Sequence, residues 1–131
     1  MLHRPDAPAL RRIETEDGGL AYYEWPGDPS APLAVFLHAT GFHGRVWDQT
    51  IRALPPGYRA LALDLPGHGQ SGRRGPIAAW ADSVAPVVAA LDGLAIEGAL
   101  AIGHSMGGYL AAMAALERPA AFRGLMFIDP V

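Results

Sequence analysis

The chain has 131 residues, 50% of them hydrophobic and 18% charged, enough for one ordinary core and far from the polar, highly charged balance of a disordered chain. Ten arginines, no lysine and thirteen acids give a net charge of −3. Basic residues adjoin only as the pairs Arg11–Arg12 and Arg73–Arg74, so there is no stripe for neutralising nucleic-acid phosphates.

The absence of cysteine excludes disulfides, thiolate metal sites and a thiol nucleophile, and fits a cytoplasmic protein. At the start, MLHRPDAPALRR places Pro5 and Asp6 where a secretion signal would need an unbroken apolar stretch. The apolar run Leu10–Glu16, the glycine turn Asp17-Gly18-Gly19 and the run Leu20–Trp25 predict an antiparallel hairpin. After a Pro-, Gly- and Asp-rich loop, Leu33–Leu37 is a continuous apolar run, the pattern of a strand buried on both faces in a parallel sheet.

Helical spacing of Trp47, Ile51 and Leu54 predicts a helix over Arg45–Leu54, stopped by Pro55-Pro56-Gly57, and Tyr58–Leu63 predicts the next strand. Trp80, Val84, Val87, Val88 and Leu91 share one helix face, and Pro86 is expected to kink that helix. Gly98–Leu116 is uncharged for nineteen residues, long enough to suggest a membrane span. Its centre, however, reads GHSMGG, which predicts a buried strand (Ala99–Ile102), a tight turn and a buried helix (Met106–Arg118) instead. Arg123–Ile128 is the last predicted strand. Strand and helix alternate after the hairpin, which implies an α/β fold: a mostly parallel sheet with helices on both faces and ligands beyond the carboxyl ends of the strands. Those ends are His38, Asp64, Gly103 and Asp129.

Gly103-His104-Ser105-Met106-Gly107 is a GxSxG between strand and helix, the context of a nucleophile elbow. A serine on so strained a turn needs tiny neighbours two positions away, which Gly103 and Gly107 supply, with Gly108 adding clearance. A glycine-rich turn with an incidental serine is the bland alternative. An anion site at the helix N-terminus is another, although GHSMGG matches neither phosphate-binding glycine pattern.

Three segments, LHATGFHGRVWD at 37–48, DLPGHGQS at 64–71 and GHSMGG at 103–108, resemble in order those of the α/β-hydrolase family. They are similar to the first half of that fold, without its lid and last strands, so that residues 1–131 form one domain, its N-terminal portion. The resemblance implies Ser105 as nucleophile and the backbone N–H groups of Thr40 and Met106 as oxyanion hole, each such donor contributing on the order of 3 kcal/mol. It further implies that His38 braces the loop and that Asp64 and His68 are structural. The family's usual His-Gly is here His38-Ala39, one freely flexible position fewer. A serine implies an ester or similar acyl substrate, with carbon–carbon bond hydrolysis next, and argues against relatives whose nucleophile is aspartate. No cofactor and no metal are implied.

A serine hydroxyl needs a histidine base oriented by a carboxylate, and in this family both follow the serine in sequence. No histidine follows Ser105, and Glu117 and Asp129 are the only later acids. His104 adjoins the serine on a turn where neighbours point apart, His3 falls at a chain end and His43 in a surface loop. Glu117 reads as solvated beside Arg118. Asp129, at the end of the sixth strand, is a weak candidate for the triad acid, since many relatives carry an aspartate there for loop structure. The 131 residues alone are therefore expected to be nearly inert, with the sixth strand left as an apolar edge that pairs with a C-terminal half or self-associates. A fragment of a longer reading frame, a non-catalytic binding module and one half of a split enzyme all satisfy these observations.

Overall fold

A computed structural model describes residues 7–16, 18–73 and 75–130. His3, Asp17 of the predicted turn and Arg74 of the second arginine pair lie outside the described residues. The hairpin forms as expected: β1 (Ala9–Ile13) pairs antiparallel with β2 (Leu20–Trp25), Ala9 opposite Glu24 and Ile13 opposite Leu20. At its turn the Gly18 N–H donates to the Thr15 carbonyl at 3.1 Å, and the Thr15 hydroxyl donates to the Gly18 carbonyl at 2.7 Å.

The four later strands, β3 (Leu33–Leu37), β4 (Arg59–Leu63), β5 (Ala99–His104) and β6 (Phe122–Ile128), run parallel, and the sheet order is β1-β2-β4-β3-β5-β6. Strand β2 joins β4 antiparallel. Side chains alternate across this sheet into two cores. On one face Leu20, Val35, Leu37, Leu63 and Ala101 pack beneath α2 (Val84–Gly93) and α3 (Met106–Glu117). On the other, Trp25, Phe36 and Ile102 pack with Trp47 and Ile51, which come from a 3-10 turn (Gly44–Trp47) and the short α1 (Asp48–Ala53). Helices thus cover both faces, and the continuous apolar runs of β3 and β4 are explained by burial from both sides.

Two expectations change. The single helix predicted over Arg45–Leu54 divides into the 3-10 turn and α1, because His43 Nδ1 accepts the Arg45 N–H at 3.2 Å and starts the turn early. Pro86 does not kink a long helix. A 3-10 turn over Trp80–Ser83 precedes α2, so Pro86 falls in the first turn of α2, where its missing N–H would have had no intrahelical partner.

Strand β6 closes the sheet on one side with nothing against its outer edge among the described residues. Leu125, Met126, Phe127 and Ile128 are all exposed there, Met126 at 52%, as expected of a sixth strand without the family's further strands. Buried Leu110 of α3 is the opposite case, at 0%. Leu110→Ala should cost about 2–5 kcal/mol in urea unfolding, whereas Met126→Ala should change stability by less than about 0.5 kcal/mol.

Candidate active site

Ser105 sits between β5 and α3 with φ +52° and ψ −114°, a left-handed conformation that costs a non-glycine residue on the order of 1–3 kcal/mol. Three backbone bonds hold it there. Its N–H donates to the Ile128 carbonyl of β6 at 3.0 Å, and its carbonyl accepts the N–H groups of Gly108 at 2.9 Å and Tyr109 at 3.1 Å. The side chain is half-buried, and its hydroxyl makes no hydrogen bond to a described residue.

The glycines expected around the serine are where the chain cannot admit a Cβ. One added at Gly107 would fall on the Leu37 carbonyl oxygen and 2.6 Å from that of His38. One at Gly103 would lie 2.5 Å from the Gly107 oxygen and 2.6 Å from Gly108 Cα. Gly108 is less constrained, its nearest neighbours being the Gly103 oxygen at 3.3 Å and the Phe127 ring at 3.4 Å. This close approach seats the end of β3 against the N-terminus of α3.

Thr40 and Met106 are accordingly brought together, the Thr40 hydroxyl donating to Met106 Sδ at 3.4 Å. Thr40 is exposed and Met106 buried. Neither backbone N–H donates to another described residue, so two free donors flank the serine turn. The Phe42 N–H donates to the Ala39 carbonyl at 3.2 Å across Gly41, whose φ is +84°. The intervening Thr40-Gly41 forms the centre of a turn that needs positive φ at its third residue, which glycine supplies.

Beneath that turn lie two fully buried polar side chains, His38 and Asp64. The Leu65 N–H donates to His38 Nε2 at 3.0 Å, so Nδ1 carries the proton and donates to the Ala39 carbonyl at 2.7 Å. Burial disfavours the charged ring and lowers its pKa from 6.5 to about 4, opposed by the bond to Ala39 and assisted by His68. Asp64 accepts the Gly44 N–H at 2.6 Å and the Gln70 N–H at 2.7 Å. A Cβ at Gly69 would collide with its carboxylate, which is why that glycine follows at φ +52°. His68, with its Nδ1 3.0 Å from the Pro66 carbonyl, packs its ring 5.1 Å from that of His38. All three side chains contact the loops after β3 and β4.

The remaining candidates are dispersed. Asp129 follows β6 with φ +44°, next in the chain to the Ile128 carbonyl that holds Ser105; its side chain is exposed and bonds to no described residue. His104 stacks on Phe42, ring centroids 6.4 Å apart and 19° between planes. Glu117 is exposed, while Arg118 beside it pairs with Asp92 at 2.8 Å. Among the described residues no group of three or more His, Cys, Asp or Glu is placed to hold a metal ion, and no helix is long and apolar enough to cross a membrane. The clamp of Asp64 on Gly44 and the Phe42–His104 stack were not legible in the sequence, since both join residues far apart in the chain.

A family profile described as the alpha/beta hydrolase family matches residues 34–131, and the chain belongs to that family. It is 36% identical over 133 residues to the esterase Rv0045c of Mycobacterium tuberculosis, covering 93% of this chain and 39% of the relative. To the dihydrolipoyllysine-residue acetyltransferase component of the acetoin cleaving system of Cupriavidus necator it is 34% identical over 126 residues, covering 96% of this chain and 33% of the relative. Among solved structures, the haloalkane dehalogenase DbeA of Bradyrhizobium elkani superposes with a TM-score of 0.85 at 29% identity, over 94% of this chain and 42% of that one. The chain therefore spans about two-fifths or less of the length of these relatives.

Two predictions come from this geometry. Gly107→Ala should cost about 3 kcal/mol or more, because backbone cannot yield, whereas Gly108→Ala should cost less than about 1 kcal/mol; urea midpoints compare them. His38, neutral in the fold down to about pH 4, leaves the unfolded chain binding the extra proton below pH 6.5, so stability falls as pH falls. The loss should reach about 2 kcal/mol between pH 8 and 5, and His38→Gln should flatten that slope.

Proposed function

We propose that this chain is the N-terminal portion of a cofactor-free serine hydrolase acting on an ester or similar acyl bond. The observation that carries the reading is Ser105 at φ +52°, strained and half-buried on the turn between β5 and α3, with two free N–H donors beside it. Its Oγ would attack the acyl carbon, forming the serine ester while the carbon–alkoxy bond breaks. The serine proton passes through the base to the departing alcohol, and water then releases the acid. The N–H groups of Thr40 and Met106 would hold the oxyanion at both stages. A serine here sets the chain apart from aspartate chemistry, although similarity to both an esterase and a dehalogenase bears on the superfamily alone. The absence of cysteine supports a cytoplasmic setting.

The base and the orienting acid would come from polypeptide outside these 131 residues, either in a longer chain or from a separate C-terminal half. Supporting this are the lack of any histidine after Ser105 and the coverage of only 33% and 39% of the two sequence relatives. Asp129 remains the single local candidate for the acid. The same missing base favours a second reading, a non-catalytic binding module on the same half-fold whose exposed β6 edge recruits a partner or a second copy.

Intact mass of the natively produced protein, before and after a fluorophosphonate probe, separates the two. The hydrolase reading predicts an adduct that disappears in Ser105→Ala, carried by a species heavier than 13.8 kDa or by a complex with a second chain. A native 13.8 kDa protein that forms no adduct, alone or in its native complexes, overturns it in favour of the binding module.

A further inference from the structure

At the end of the sheet opposite Ser105, where β3, β4 and β5 begin, lies a cleft of about 420 Å³, within the size range of small-molecule sites. It is lined by Leu33 and Arg59 at the starts of β3 and β4, by Glu24 and Trp25 at the end of β2, and by the connection 94–98 between α2 and β5. Both sides of the lining are held in place. The Arg59 N–H donates to the Pro32 carbonyl at 2.8 Å and its Nε to the Ala31 carbonyl at 2.9 Å. A Cβ at Gly27 would lie 3.2 Å from Arg59 Cγ, so the side chain is laid against the loop before β3. In the connection, the Ile96 N–H donates to the Leu91 carbonyl at 3.0 Å and the Gly98 N–H to the Ala120 carbonyl at 2.9 Å. Ala95 there holds φ +52°, which a residue with a Cβ adopts only at a cost.

The anchored guanidinium leaves both terminal nitrogens unbonded among the described residues. Asp28, close enough to feel the Arg59 charge, accepts instead from the Ser30 N–H and hydroxyl. Glu97 bonds to no described residue either, whereas Glu24 pairs with Arg11 at 3.4 Å. Half-buried Leu33, Leu94 and Ile96 pack against the core beneath α2 and add apolar surface to the cleft. The lining thus offers one fork of N–H donors, one free carboxylate and an apolar wall. A lone anion would meet the Glu97 charge and a lone cation that of Arg59, so the complementary ligand carries both signs on a small apolar body.

We propose that the cleft binds a small apolar α-amino acid, its carboxylate on the Arg59 guanidinium, its ammonium on Glu97 and its side chain on Leu33, Leu94 and Ile96. The site stands at the opposite ends of the strands from the serine turn, and it does not depend on Ser105 being catalytic.

The test is an NMR titration of the natively produced protein with L-leucine, N-acetyl-L-leucine and L-leucinamide, the last two lacking the ammonium and the carboxylate respectively. L-Leucine should shift the amides of Leu33 and Ile96 along a saturable curve, with half-saturation at about 1 mM or below, while those of Gly103 and Met106 stay in place. Each blocked probe should bind at least about tenfold more weakly, since it loses one charge-assisted contact. Arg59→Met and Glu97→Gln should each weaken L-leucine by at least about tenfold. Arg59→Lys should recover only part, because an ammonium supplies charge without the planar fork. Glu97 is exposed, so its substitution leaves folding aside, and unchanged amide shifts of Val35 and Ile102 report an intact sheet in the Arg59 variants.

Absence of saturable shifts with L-leucine at about tenfold that concentration overturns the proposal. Equal binding of N-acetyl-L-leucine, which would make the cleft a plain anion site, also overturns it, as does equal binding of L-leucinamide or an affinity that survives both Arg59→Met and Glu97→Gln. Shifts confined to Gly103 and Met106 would place the ligand at the serine turn and overturn it as well.

Discussion

The arrangement depends on a backbone contact with no room for a side chain. The Leu37 and His38 carbonyls occupy the place of a Gly107 Cβ, and Gly107 in turn occupies that of Gly103. Strand β3, the serine turn and the start of α3 are therefore in direct backbone contact. That contact sets the left-handed conformation of Ser105, places the first N–H groups of α3 beside the end of β3, and brings Thr40 to Met106. Strain at the serine is held by bonds to β6 and α3, so these elements, not the turn, bear its cost.

A second constraint is polar and buried. His38 and Asp64 are each satisfied by backbone partners, an arrangement that rigidifies when complete and destabilises when broken. They bind the loops after β3 and β4 into one unit at the carboxyl ends of the strands, where ligands of parallel α/β sheets bind. The neutral state of His38 follows from the same burial.

Much of this was legible in the sequence because it is local. The hairpin, the buried runs of β3 and β4, and the strand, turn and helix around Ser105 each follow from periodicity and glycine placement within a dozen residues. The start of the helix after His43 and the place of Pro86 were misread, since 3-10 turns preceding α1 and α2 shift the helix starts without changing the apolar spacing. The polar clamp was invisible for another reason: Gly44 and Asp64 are twenty residues apart, and neither residue type announces a partner. The exposed apolar edge at β6 was anticipated from the family resemblance, whose fold continues with further strands, and a parallel strand rich in Leu, Met, Phe and Ile needs cover on both sides.

The oxyanion role proposed for the Thr40 and Met106 N–H groups requires both to reach one point above the strained Ser105. A crystal structure of the protein with a phosphonate bonded to Ser105 Oγ tests it most directly. A phosphoryl oxygen is expected within about 3 Å of both nitrogens, with the Ala39 carbonyl still bonded to His38. A phosphoryl oxygen turned to solvent, or a Thr40 peptide flipped so that its N–H faces the core, would contradict it.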